Sequence, residues 1–117
     1  MMKVQTLRNV TNGALLATRV GWATNPWERG LGLLLRASVK ADEGLWIDHC
    51  SAIHTMMMRA SIDVFFLDKE GRVLQIAQKV APNRLALTCR DAVSVVELGA
   101  QDTGDRNVAI GDQLILE

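Results

Sequence analysis

Residues 50–71 read CSAIHTMMMRASIDVFFLDKEG, and the second half of this stretch decides the fold. Val64-Phe65-Phe66-Leu67 is apolar at every position, so whichever way alternate side chains point, both faces of an extended segment need covering. Asp63 to Asp68 is therefore expected to be a strand buried on both sides. Asp68-Lys69-Glu70-Gly71 follows, with glycine where a type I turn ending in a left-handed residue requires it. Arg72 to Val80 then resumes the alternation, with Leu74, Ile76 and Val80 expected inward.

Short strand-like runs separated by turn signals recur on either side, the pattern of an all-β sandwich or barrel. Upstream, Val4, Thr6 and Arg8 alternate with Lys3, Gln5 and Leu7. Asn12-Gly13 is a hairpin signal because both residues tolerate positive φ, and a strand is expected from Ala14 to about Trp22. Asn25-Pro26-Trp27-Glu28 reads as an N-cap, a first-turn proline and a first-turn acid, predicting a short helix over 26–36. Gly30 and Gly32 weaken it by about 1 kcal/mol each relative to alanine. Asp42-Glu43-Gly44 is a turn, Leu45-Trp46-Ile47 opens another strand, and Ser51 to Met58 is read as a further one. Downstream, short strands are expected over Arg84–Cys89 and Ala92–Leu98, and a terminal one over Gln113–Glu117. The expectation is a single domain over residues 1–117: a mainly β sandwich or distorted barrel of about 8–9 short strands with one short helix.

Lys plus Arg and Asp plus Glu both number 13, so the net charge is zero, and the basic residues are scattered singly. Nucleic acid and anionic membranes need a concentrated positive footprint, and neither is expected as a partner. Met1 to Asn9 lacks the apolar segment of a secretory signal, which points to the cytoplasm and to Cys50 and Cys89 as reduced thiols. With no C-x-x-C there is no zinc-knuckle or thioredoxin pattern.

Four residues stand out as candidates for a binding surface: His54, Arg59, Asp63 and Glu97. His54 is the natural general base or anion reader if a pocket opens beside it. Arg59 and Asp63 bracket a short gap and either pair structurally, or bind an anion and orient His54. Glu97 lies in an apolar strand, where an unpaired carboxylate is costly; Arg29, Arg36 and Arg59 are its candidate partners. Cys50, His54, Met56 and Met58 share one face of an extended strand, a soft set suited to Cu(I). Residues four apart on a strand are about 13 Å apart, however, so neither a shared metal nor a Cys–His dyad is expected. Trp22, Trp27 and Trp46 read as core anchors or helix-docking residues rather than a stacking platform. Phosphate-loop, Ser-His-Asp and zinc-protease signatures are missing, and no cofactor is expected. These readings favour a non-catalytic β domain that binds a small molecule or a protein partner. The alternatives are a small hydrolase- or isomerase-like enzyme acting on an anionic metabolite through His54, and a copper-handling protein.

Five separated blocks carry a family resemblance. They are Arg29-Gly30-Leu31-Gly32-Leu33; Asp42-Glu43-Gly44-Leu45-Trp46; Cys50-Ser51-Ala52-Ile53-His54-Thr55 running into Met58-Arg59 and Ile62 to Asp68; Val95-Val96-Glu97-Leu98; and Ile110-Gly111-Asp112. In that order they resemble the DUF192 family of uncharacterised proteins, from about Asn25 to Leu116. The chain departs from the pattern at Ala60-Ser61 and at Gly32 or Leu33. The resemblance implies a β-sandwich-like or distorted-barrel fold and supplies no activity.

Overall fold

The structure, a computed structural model of the 117-residue chain, describes residues 4–23, 39–56, 58–84, 86–101 and 106–117. Nine strands lie among them: β1 (Val4–Asn9), β2 (Leu15–Ala23), β3 (Glu43–Asp48), β4 (Ala52–Ile53), β5 (Ile62–Leu67), β6 (Val73–Val80), β7 (Leu87–Thr88), β8 (Ser94–Gly99) and β9 (Leu114–Leu116). The fold is mainly β, and the helix expected over 26–36 lies outside the described residues. A radius of gyration of 12.6 Å is that of one folded unit of this length. No helix among the described residues is long and apolar enough to cross a membrane.

Seven strands form one sheet in the order β6-β5-β8-β3-β2-β1-β9, and β4 pairs with β7 in a separate ribbon. Every pairing is antiparallel except β2 with β3, which run parallel with Trp22 beside Trp46. The two-sided apolar run finds its explanation in this order. β5 and its neighbour β8 are buried at every position, and alternation divides their side chains between two cores. Val64, Phe66 and Val95 join Leu45, Ile47 and Met58 in one cluster, over which Ile53 and Leu87 of the β4–β7 ribbon pack. Phe65, Leu67, Val96 and Leu98 join Leu7, Val20, Val73 and Leu114 in the other.

The sheet coils until its two edges meet at one place. Val73 donates its N–H to the Asp112 carbonyl at 2.8 Å, Leu114 donates to Gly71 at 2.9 Å, and Arg72 faces Gln113 across an isolated bridge. Strand pairing goes no further there, so this is a coiled mixed sheet rather than a closed barrel. The Asp68–Gly71 turn takes the expected form. Gly71 has φ 79° and donates to the Asp68 carbonyl at 3.0 Å, while the Asp68 carboxylate accepts the N–H groups of Glu70 and Arg72 at 2.8 and 2.9 Å.

Two local expectations are corrected. The Ser51–Met58 strand shrinks to Ala52–Ile53, because buried Thr55 turns the chain. Its hydroxyl donates to the Ala81 carbonyl at 2.7 Å and accepts the Arg84 N–H at 2.8 Å, and its carbonyl accepts the Met58 and Asn83 N–H groups. In β6 the most buried residue is Val73, with Leu74 and Ile76 only half-buried, since this strand touches both cores. The hairpin expected at Asn12-Gly13 forms: β1 and β2 pair antiparallel across a loop of residues 10–13, with Gly13 alone in it at positive φ.

Candidate functional site

The four residues singled out in the sequence do not converge. Asp63 and Glu97 sit on neighbouring strands, but alternation sends Asp63 to the side of Phe65 and Leu98 and Glu97 to the side of Val64 and Leu45. His54 and Arg59 are exposed. His54 Nδ1 accepts the Met56 N–H at 3.2 Å, which leaves the proton of the neutral ring on Nε2.

Asp63 is 1% exposed and meets Arg106, itself 3% exposed, rather than Arg59. Arg106 Nε donates to Asp63 Oδ2 at 2.8 Å, Nη1 to the Ala41 carbonyl at 2.8 Å, and Nη2 to the Gly99 carbonyl. Asp63 also accepts the Lys79 N–H at 2.8 Å and the Gln101 N–H at 3.2 Å. Lys79 has φ 51° and lies at a bulge, where β6 advances three residues from Ala77 to Val80 while β5 advances two from Val64 to Ile62. The carboxylate thus takes the amide that the bulge removes from the ladder. Gly99 belongs to the same cluster: a Cβ there would lie 2.2 Å from the Lys40 carbonyl oxygen, so only glycine lets residues 39–40 approach.

Glu97 is 4% exposed, and burial pushes its carboxyl up to about 7. Among the described residues no hydrogen bond or opposite charge offsets that burial. Two of the partners considered for it, Arg29 and Arg36, lie outside the described residues. Cys50 and Cys89 are not joined in a disulfide and lie half-buried against the first core, and Met58 is buried within it. No group of three metal-ligating side chains is found among the described residues.

A different constellation lies at the end of the coil where the sheet edges meet. Trp22 and Trp46 are register partners on parallel strands, so both indoles project from the same face. Both N–H groups converge on one acid: Trp22 Nε1 donates to Asp48 Oδ2 at 2.5 Å and Trp46 Nε1 to Oδ1 at 3.1 Å. Ser94, the register partner of Asp48 on β8, donates its hydroxyl to Oδ1 at 3.2 Å. These groups open onto a cleft of about 350 Å³, walled by the Lys69–Gly71 turn, the Leu114–Leu116 strand and Gln5. The turn wall is fastened to β9 by the Gly71–Leu114 hydrogen bond and by Gln113 Nε2 donating to the Glu70 carbonyl at 2.7 Å.

Trp46 packs against the second core as an anchor does, whereas Trp22 departs from that expectation. Trp22 is 46% exposed and Trp46 half-buried, while Trp27 lies outside the described residues. The N–H edge of Trp22 is tied to Asp48 while the residue as a whole stays exposed. The alternation of Trp46 and Asp48 was visible in the sequence. The parallel pairing that sets Trp22 beside them was not, because the β2–β3 partnership leaves no local signature.

The chain belongs to the DUF192 family, described as Uncharacterized ACR, whose pattern matches residues 7–116. Two solved structures share the fold. One is a Sinorhizobium meliloti 1021 protein provisionally labelled a transcription regulator, with TM-score 0.85, 21% identity, and 98% of this chain and 95% of that chain covered. The other is a protein of unknown function from Novosphingobium aromaticivorans DSM 12444, with TM-score 0.79, 19% identity, and coverage of 97% and 84%. No match to a curated protein was found.

Proposed function

We propose that this chain is a small, non-catalytic ligand-binding β domain, and that its ligand enters the cleft framed by Trp22, Trp46 and Asp48. One observation carries the reading: two neighbouring indoles share one carboxylate and line the same cleft, and Trp22 is exposed there. An exposed tryptophan whose polar edge is already satisfied offers a large, rigid apolar surface with little entropy to lose on binding. The cleft volume is at the small end of ligand pockets, about 300–1,000 Å³. Asp48 already accepts from three donors, so little of its acceptor capacity is left for a reacting group, which supports binding over catalysis.

This reading moves the binding surface away from His54, Arg59, Asp63 and Glu97. Asp63 is occupied by three donors, and Glu97 lies on the other side of the sheet. A cytoplasmic setting goes with it, supported by the two unbridged cysteines. The test is a thermal-shift screen of small metabolites against the wild type, Trp22→Ala and His54→Ala, since a ligand of the folded state raises the melting temperature. Hits abolished by Trp22→Ala and kept by His54→Ala are expected. Hits with the opposite dependence would return the site to the His54 surface.

A further inference from the structure

Resting on that cleft, we infer the chemical class of its ligand: a small organic cation of the methylated-ammonium type, with few or no N–H donors of its own. The π face of an indole carries negative potential and attracts a cation placed over it. Here both indole N–H groups donate to a carboxylate, and hydrogen bonding to an anion polarises the donor ring so that its face becomes a better cation partner. The negative charge of Asp48 has three neutral donors and no cationic partner among the described residues, so its field reaches the cleft largely uncancelled.

The state of Asp48 also selects within the cations. Most of its lone-pair capacity is taken, so a ligand rich in N–H groups finds little to bond to. A methylated ammonium needs no acceptor and is bound by field, ring faces and apolar contact. Half-buried Leu116 supplies apolar contact along the opposite wall, in front of buried Leu114. Glu70 adds a second negative charge, shared with Arg72 at 4.0 Å. Lys69 is the one lining residue of the wrong sign, and it stands exposed on the turn, free to swing outward.

The test follows the indole N–H cross-peaks in a nitrogen–proton correlation spectrum during titration with choline, with its uncharged carbon isostere neohexyl alcohol, and with glucose. Choline is expected to move the Trp22 and Trp46 signals and to bind about tenfold or more tightly than the neutral isostere. Lys69→Ala is expected to tighten choline binding about twofold or more by removing a like charge, and Trp22→Ala to abolish it. Equal binding of choline and neohexyl alcohol, or indole shifts with glucose alone, overturns the cation assignment while leaving the cleft as a binding site. If none of the three probes moves either signal, the cleft itself is not the site and both conclusions fall.

Discussion

Glu97 and Asp63 are acids on adjacent strands with opposite energetic roles. Glu97 has its pKa raised from 4.5 to about 7 by burial, so between those values the folded chain holds a proton that the unfolded chain has released. Stability therefore falls as pH rises from about 4.5 to about 7, by roughly 3 kcal/mol at most, and levels off above. Glu97→Gln should remove that slope. In urea melts it is expected to gain on the wild type at pH 8 and to match it near pH 4. A variant that loses stability at pH 8 would show that the carboxylate is paired. Asp63, by contrast, holds one guanidinium and two amides together. Arg106→Met leaves a buried carboxylate short of its ion-pair partner and is expected to cost about 3–5 kcal/mol. Asp63→Ala strands the guanidinium and two N–H groups together and should cost more, a ranking that equilibrium denaturation of the two variants checks.

The Asp68–Gly71 turn does two things at once: it closes the β5–β6 hairpin and forms one wall of the cleft. Both depend on Gly71. Its φ of 79° is strained for any other residue, and a Cβ would lie 2.6 Å from the Leu114 carbonyl oxygen. Gly71→Ala is expected to destabilise by about 2 kcal/mol and to push the turn off β9. A ligand identified by the thermal-shift screen should then bind several-fold more weakly to this variant under conditions where it remains folded; unchanged affinity would show that the wall plays no part in recognition. The β4–β7 ribbon is the contrasting case. Two-residue strands contribute little by their own pairing, and this ribbon is stapled through Thr55 to residues 81–84. Extended backbone ends there because a buried hydroxyl takes over the hydrogen bonds a longer ladder would have supplied.

Across the molecule, β5 and β8 form a partition that sends alternate side chains into two separate cores. Val95 faces one and Val96 the other. Truncating either to alanine removes about two methyl groups from a packed interior, a loss of about 2 kcal/mol each. With no shared partners the double variant should show close to the sum; a shortfall or excess above about 0.5 kcal/mol in urea melts would mean the cores are coupled through the backbone. The longer strands of the main sheet and the Asp68–Gly71 turn were legible in the sequence, as was the two-sided burial of Val64 to Leu67, whereas the strands expected over Ser51–Met58 and Arg84–Cys89 shrink to two residues each. Period-two patterning and turn stereochemistry act between residues a few bonds apart. The partnership of Asp63 with Arg106, 43 positions away, was not legible, nor was that of Trp22 with Asp48, 26 positions away. What the amino-acid order settled on its own was a β chain with a doubly buried central strand. Tertiary structure alone chose which strands became neighbours, because pairing between distant segments is fixed only when the whole apolar surface is enclosed together. The cleft exists as a consequence of that choice.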